Sequence, residues 1–241
     1  MRPDDQRVEI YSAVENGQLG LGVRMNGPAT VQDLLDAWQP LCDDPTIYKS
    51  YAEGNYAACR GCQLNCCPTA YVIPDLVSFK RMAASLELDH AEFIDRYCQK
   101  EKLEVGLLRL QPNPCTFLSD NICTVYPVRS LICRLYLCTR LLGETEELIY
   151  KIAWTGAAAT QIFAERNSLL PSKAGAASSF DRLFINLVEE YRQHLGVKSF
   201  LQARDYSDIP LYHFLPLKNA RNRSEDFPGA ETARPVPPDL E

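Results

Sequence analysis

A chain of 241 residues, 46% hydrophobic and 23% charged, can bury a sizeable core unaided, so its ten cysteines are not compensation for a small one. A net charge of -6 with no basic stripe or tail excludes a general binder of nucleic acid or of anionic membranes. No stretch approaches the ~18 apolar residues of a membrane span, and the charged start Met1-Arg2-Pro3-Asp4-Asp5 lacks the apolar run of a secretory signal.

In chain order, Val8–Tyr11 and Leu19–Val23 flank Glu15-Asn16-Gly17 and predict a hairpin, because Asn-Gly suits the two-residue turn. Thr30 and Asp33 stand at capping-box spacing and open a short helix through Leu34, Leu35 and Trp38. Residues 39–58, with Pro40, Pro45 and Gly54, read as an irregular approach to the cysteines. Beyond them Ala70–Ile73 is strand-like, and Pro74 suits the first position of a helix ending near Leu86. Asp89 and Glu92 repeat the capping box and start a second helix with Phe93, Ile94 and Tyr97 inward. Leu107–Gln111 is again strand-like, and Ser119-Asp120-Asn121 marks a bend that brings Cys115 near Cys123. A helix is expected from Pro127 to Cys138, another over 145–166 and a third over 179–195. In that third helix Leu183, Leu187, Tyr191 and Leu195, beside Phe184 and Val188, form a stripe expected to pack in the core. Leu211–Pro216 is expected to dock back on the domain, and residues 219–241 to form a disordered tail.

These elements describe a mainly α fold with small irregular β pieces (α+β). An N-terminal hairpin and short helix (1–55) lead into a cysteine-rich, metal-centred domain (56–140). A helical region (141–218) packs on it, and the tail follows.

The chemistry lies in the cysteines. Cys59, Cys62, Cys66 and Cys67 fall within nine positions, and Cys115, Cys123, Cys133 and Cys138 form a second group. The expected compartment is the cytoplasm, where such clusters bind metal or do redox work more often than they form disulfides. A Cys-x-x-Cys turn lets two sulfurs converge on one ion, and Gly61 eases that turn at Cys59–Cys62. Adjacent Cys66 and Cys67 do not readily share one tetrahedral ion, so they serve two ions, or only one of them ligates. Four thiolates suit tetrahedral zinc or a [4Fe–4S] cluster, and eight suffice for two sites. The C-x2-C-x3-C-C-P run departs from the ferredoxin spacing. Between residues 59 and 140 ten Lys and Arg face eight Asp and Glu, a local excess of positive charge that suits an anionic thiolate centre. Arg60, Arg129 and Arg134 are candidate donors to sulfur, with solvated surface groups as the competing reading. Cys42 and Cys98 fall outside the pattern and read as inert thiols. His90, His194 and His213 show no zinc-hydrolase spacing, and no phosphate loop or GxSxG elbow is present.

At these residues the chain resembles the YkgJ-type CxxCxxCC cysteine-cluster family, whose shared region is a zinc- or iron-chelating domain. The first family motif matches Cys59, Cys62, Cys66 and Cys67, with one extra residue before the third cysteine. The second matches Cys115-Thr116-Phe117-Leu118, Cys123-Thr124-Val125-Tyr126, Arg129, Cys133 and Arg134, with Ser130 where the family has proline. The resemblance implies a metal centre, zinc or iron–sulfur, over about residues 56–140. The CxxxCC portion is also similar to the flagellin lysine methylase family, which implies an iron–sulfur-dependent protein-modifying enzyme as the alternative. No residues match a methyl-donor site. The expectation is a metal-binding protein whose thiolate centre is structural or redox-active, with a protein partner left open.

Overall fold

The computed structural model describes residues 7–44, 71–112, 114–120, 122–137, 139–171 and 175–215. In chain order its elements are β1 (Val8–Glu15), β2 (Gln18–Met25), α1 (Val31–Asp43), α2 (Leu76–Ser85), α3 (His90–Tyr97) and the one-turn α4 (Lys100–Leu103). There follow β3 (Leu118–Ser119), β4 (Ile122–Cys123), α5 (Leu131–Leu135), β5 (Arg140–Leu141), α6 (Thr145–Arg166), α7 (Ser179–Tyr191) and α8 (Leu195–Gln202). The fold is mainly α with small β pieces, as the sequence implies.

Asn16 and Gly17 take φ of 53° and 77°, the geometry of a two-residue hairpin turn. They fold β1 onto β2 in register from Val8↔Met25 to Glu15↔Gln18. The free edge of β2 receives β5 in parallel, Gly20↔Arg140 and Leu21↔Leu141, and Leu142 N–H donates to Leu21 C=O (2.8 Å). Two residues carry too little pattern to announce this strand.

The capping box at Thr30 forms as expected, its side chain accepting from Asp33 N–H. The helix it opens does not stop before Pro40, however, but runs through it to Asp43. An interior proline costs a hydrogen bond, and the last turn recovers stability by docking on residues 126–134, as described below. Pro74 lies outside α2. Asp75 is the N-cap, and the Pro74 carbonyl instead accepts from the Thr160 hydroxyl (2.7 Å). Asp89 and Glu92 form the second capping box and open α3.

Tyr71–Ile73 and Leu107–Gln111 are extended but are not strands of a sheet. Leu110 N–H donates to Val72 C=O (2.9 Å), and Leu110 forms an isolated bridge with Cys98. A side chain completes this pairing: Gln161 of α6, fully buried, accepts from Leu108 N–H (3.1 Å) and donates to Gly106 C=O. A helix amide thus stands in for a missing neighbour strand.

α6 spans the expected residues and is the centre of the fold, with α2, α5, α7 and α8 packed on it. Its run Thr155–Thr160 is buried throughout, because small side chains admit neighbours on all sides. Gly156 is the tightest approach: a Cβ there would sit 2.5 Å from Asp75 Cβ and 3.0 Å from Phe200 Cζ. Gly156→Ala is therefore expected to cost roughly 1–3 kcal/mol through overpacking, read as a lowered urea midpoint at unchanged slope.

The helix expected over 179–195 is two helices. α7 ends at Tyr191, and Leu195 begins α8 behind an N-cap at His194. The stripe expected in the core divides: Phe184 and Val188 are buried, Leu187 and Tyr191 are half-buried, and Leu183 and Leu195 are more than half exposed. Asp181, part of the Ser178–Asp181 capping box and one turn before Phe184 on the same face, is buried and pairs with Lys102 (2.6 Å). Burial alone would raise the Asp181 carboxyl, but the Lys102 ammonium and the Ser178 hydrogen bonds hold it below its ordinary value.

The docking expected of the last described segment is present. Leu211 and Phe214 are fully buried, Val31 N–H donates to Ile209 C=O (2.8 Å), and Leu211 N–H donates to Ala29 C=O (2.8 Å). The tail over 219–241 lies outside the described residues.

Candidate metal centre

Of the eight cysteines singled out, Cys115, Cys123 and Cys133 are described, while Cys59, Cys62, Cys66, Cys67 and Cys138 lie outside the described residues, as does Arg60. The described cysteines are all thiols.

Pro112, Pro114 and Pro127 keep the stretch around Cys115 and Cys123 from long regular structure. What forms is a minimal hairpin. Leu118 pairs with Cys123 and Ser119 with Ile122, and Asp120 takes φ of 49° in the turn. Leu118 N–H donates to Cys115 C=O (2.8 Å), so Cys115 starts the bend that leads into β3. The expected approach of Cys115 to Cys123 is met: both are half-buried against the same core, and Cys115 acts electrostatically on the Cys123 thiol. Burial pushes the Cys123 thiol above its ordinary value. The Val125 N–H opposes that rise, Cys115 adds to it, and the Arg129 guanidinium opposes it.

Arg129 is nine-tenths buried and committed. It stacks 3.6 Å from the Tyr126 ring centre, donates to Tyr126 C=O (2.7 Å) and reaches Gln39 Oε1 (3.5 Å). Tyr126 in turn donates its hydroxyl to Asp43 (2.5 Å), and that bond, first among its surroundings, holds the Asp43 carboxyl below the usual range. Cys42, on the same turn of α1, donates its thiol to Arg134 C=O (3.3 Å). The last turn of α1 is thus fastened to the second cysteine group by residues that the sequence showed only as motif letters. Cys98 behaves as an inert thiol: it is fully buried, and burial raises it to about 12.

The helix expected from Pro127 to Cys138 is interrupted. A 3-10 turn covers Tyr126–Val128, Ser130 is extended (ψ 149°), and α5 is only five residues long. The break has a cause at Leu131, whose N–H is taken by Asp75 Oδ2 (2.8 Å). α5 turns Leu131 and Leu135 into the core and leaves Cys133 exposed.

Asp75 is the residue that sequence reasoning missed. Its carboxylate is 1% exposed. Oδ1 accepts from Ser78 N–H (3.0 Å) and the Tyr206 hydroxyl (3.0 Å), while Oδ2 accepts from Ser78 Oγ (2.6 Å), Leu131 N–H (2.8 Å) and, more distantly, Ser130 Oγ (3.5 Å). Burial and the adjacent Asp75 charge push the Tyr206 hydroxyl well above its ordinary value, so it remains a donor. The spacing Asp75-x-x-Ser78 was a legible N-cap signal. The partners 55 and 131 positions away were not.

Among the described residues no three His, Cys, Asp or Glu side chains converge as a metal cage. The donor chemistry fits a thiophilic metal nonetheless: two adjacent half-buried thiols, an exposed third, and a guanidinium beside them. Among the described residues no helix is long and apolar enough to cross a membrane.

Comparison with known proteins agrees with the chemistry. No curated protein and no solved structure matches the chain. The family model CxxCxxCC, described as a "putative zinc- or iron-chelating domain", matches residues 58–160, which take in both cysteine groups, α2 to α5, and the first sixteen residues of α6. Over that stretch the chain is similar to the CxxCxxCC family.

Proposed function

We propose that the chain is a metal-binding protein in which Cys59, Cys62, Cys66, Cys67, Cys115, Cys123, Cys133 and Cys138 supply thiolates to zinc or to a [4Fe–4S] cluster, and that this centre first of all stabilises the fold. The supporting observation is the scantness of the structure around the described cysteines. Two-residue strands and a five-residue helix are each too short to be stable alone. Side-chain ties from Asp75, Asp43 and Arg129 hold them from outside. A metal bridge between cysteine groups supplies what such pieces lack, since ligands preorganised only in the folded chain turn metal affinity into folding free energy. A redox role requires in addition a cluster that cycles between oxidation states.

The test is metal and sulfide content, with a visible spectrum, on protein purified without air. Colourless protein with bound zinc assigns a structural site. Brown protein with about four iron and four sulfide per cluster assigns a [4Fe–4S] centre and opens redox chemistry. Protein that holds no metal and folds fully would refute the proposal.

A further inference from the structure

The Asp75 carboxylate caps two helices at once. Its Oδ1 takes the Ser78 N–H at the start of α2, and its Oδ2 takes the Leu131 N–H at the start of α5, two positions before Cys133. A single N-cap normally serves one helix. Here one buried group also closes a contact with Tyr206 from the far end of the chain. α5 has no capping side chain of its own, because Ser130 makes no cap hydrogen bond. It is too short to persist unaided. Arg134, next to Cys133, brings its guanidinium within 5.7 Å of the Tyr206 ring, so the same junction borders the residue after the candidate ligand. The backbone leaves no slack there, since Gly156 is the only residue type that admits the Asp75 side chain at its present distance.

We infer that Asp75 is a positioning residue for the metal centre: by capping α5 it fixes where Cys133 stands relative to α2. The inference rests on the reading that Cys133 is a ligand. It does not follow from the residue's contribution to stability alone, because the two carboxylate oxygens have different tasks. Each accepts a backbone N–H, so no orientation of an asparagine amide retains both acceptors. Serine is a good N-cap for α2 but is too short to serve Leu131 as well.

The test uses the full chain stripped of metal and titrated with Co2+ without air, the thiolate-to-cobalt charge-transfer band reporting how many sulfurs bind. Asp75→Ser and Asp75→Asn are expected to bind Co2+ at least tenfold more weakly and, at saturation, to show a weaker band per cobalt. Gln161→Leu, which destabilises the fold without touching Asp75, is expected to keep the full band at saturation. A full band in both Asp75 variants would overturn the inference, and if Asp75→Asn does not fold, Asp75→Ser decides. Cys133→Ser is the separate check. An unchanged band in that variant would overturn the ligand assignment itself, and with it the inference.

Discussion

Serine at Cys123 is expected to release the metal and to loosen residues 114–137 while α6, α7 and α8 persist. Cys123 is the described cysteine whose surroundings are most specific: it lies in β4, in the electrostatic field of Cys115 and of the Arg129 guanidinium. Its hydroxyl replacement preserves shape but is a poor ligand for a thiophilic ion. Structural thiolate zinc carries on the order of 10–16 kcal/mol of apparent binding, comparable with the roughly 5–15 kcal/mol that holds a whole domain together. Loss of that term exceeds anything the two-residue strands can offset. Hydrogen exchange should show amides of 114–137 approaching unprotected rates while those of α6 change little, with metal content falling in parallel. A variant that retains both its metal and its protection would remove Cys123 from the ligand set.

Gln161→Leu is expected to cost about 2–6 kcal/mol, from two buried backbone groups left unpaired at roughly 1–3 kcal/mol each. Among the described residues the Leu108 N–H and the Gly106 C=O meet only the Gln161 amide, and Gln161 is 2% exposed. Leucine is close in volume, so the change tests the hydrogen bonds rather than packing. Urea unfolding reads the loss directly. A shift under 1 kcal/mol would mean that the 106–108 segment finds water or another acceptor.

How much of this was legible beforehand follows from the range of each interaction. The hairpin, both early capping boxes and the 22-residue α6 rest on contacts a few residues apart, and local spacing announces them. The break between Val128 and Leu131, the parallel strand at Arg140 and the strand-like role of Gln161 depend on partners more than fifty positions away, where spacing is silent. The stripe on α7 divided for a related reason: Phe184 and Val188 went inward while Leu183 turned outward, because residues at every fourth position outline a band of the helix but not which edge of it meets distant partners. At the cysteines the sequence named thiolate chemistry and one neighbour pair, Cys115 with Cys123. It did not show that Tyr126 and Arg129 of the same motif serve the last turn of α1, because a motif records which residues recur and not what each one touches.

The parallel pairing of β5 with β2 bears on the order in which the protein assembles. Leu110 is tied to Val72 and Cys98 on one side, and Leu142 to Leu21 on the other, so the second cysteine group lies in a loop whose two ends are already fixed to the scaffold. Closing a loop of about thirty residues costs only slightly more than closing one half as long, and that cost is met when the scaffold forms. The thiols of Cys115, Cys123 and Cys133 are thereby kept at a high effective concentration for one another before any ion arrives. Metal capture then becomes a late, intramolecular event, and its rate should follow the supply of the ion rather than the folding of the chain.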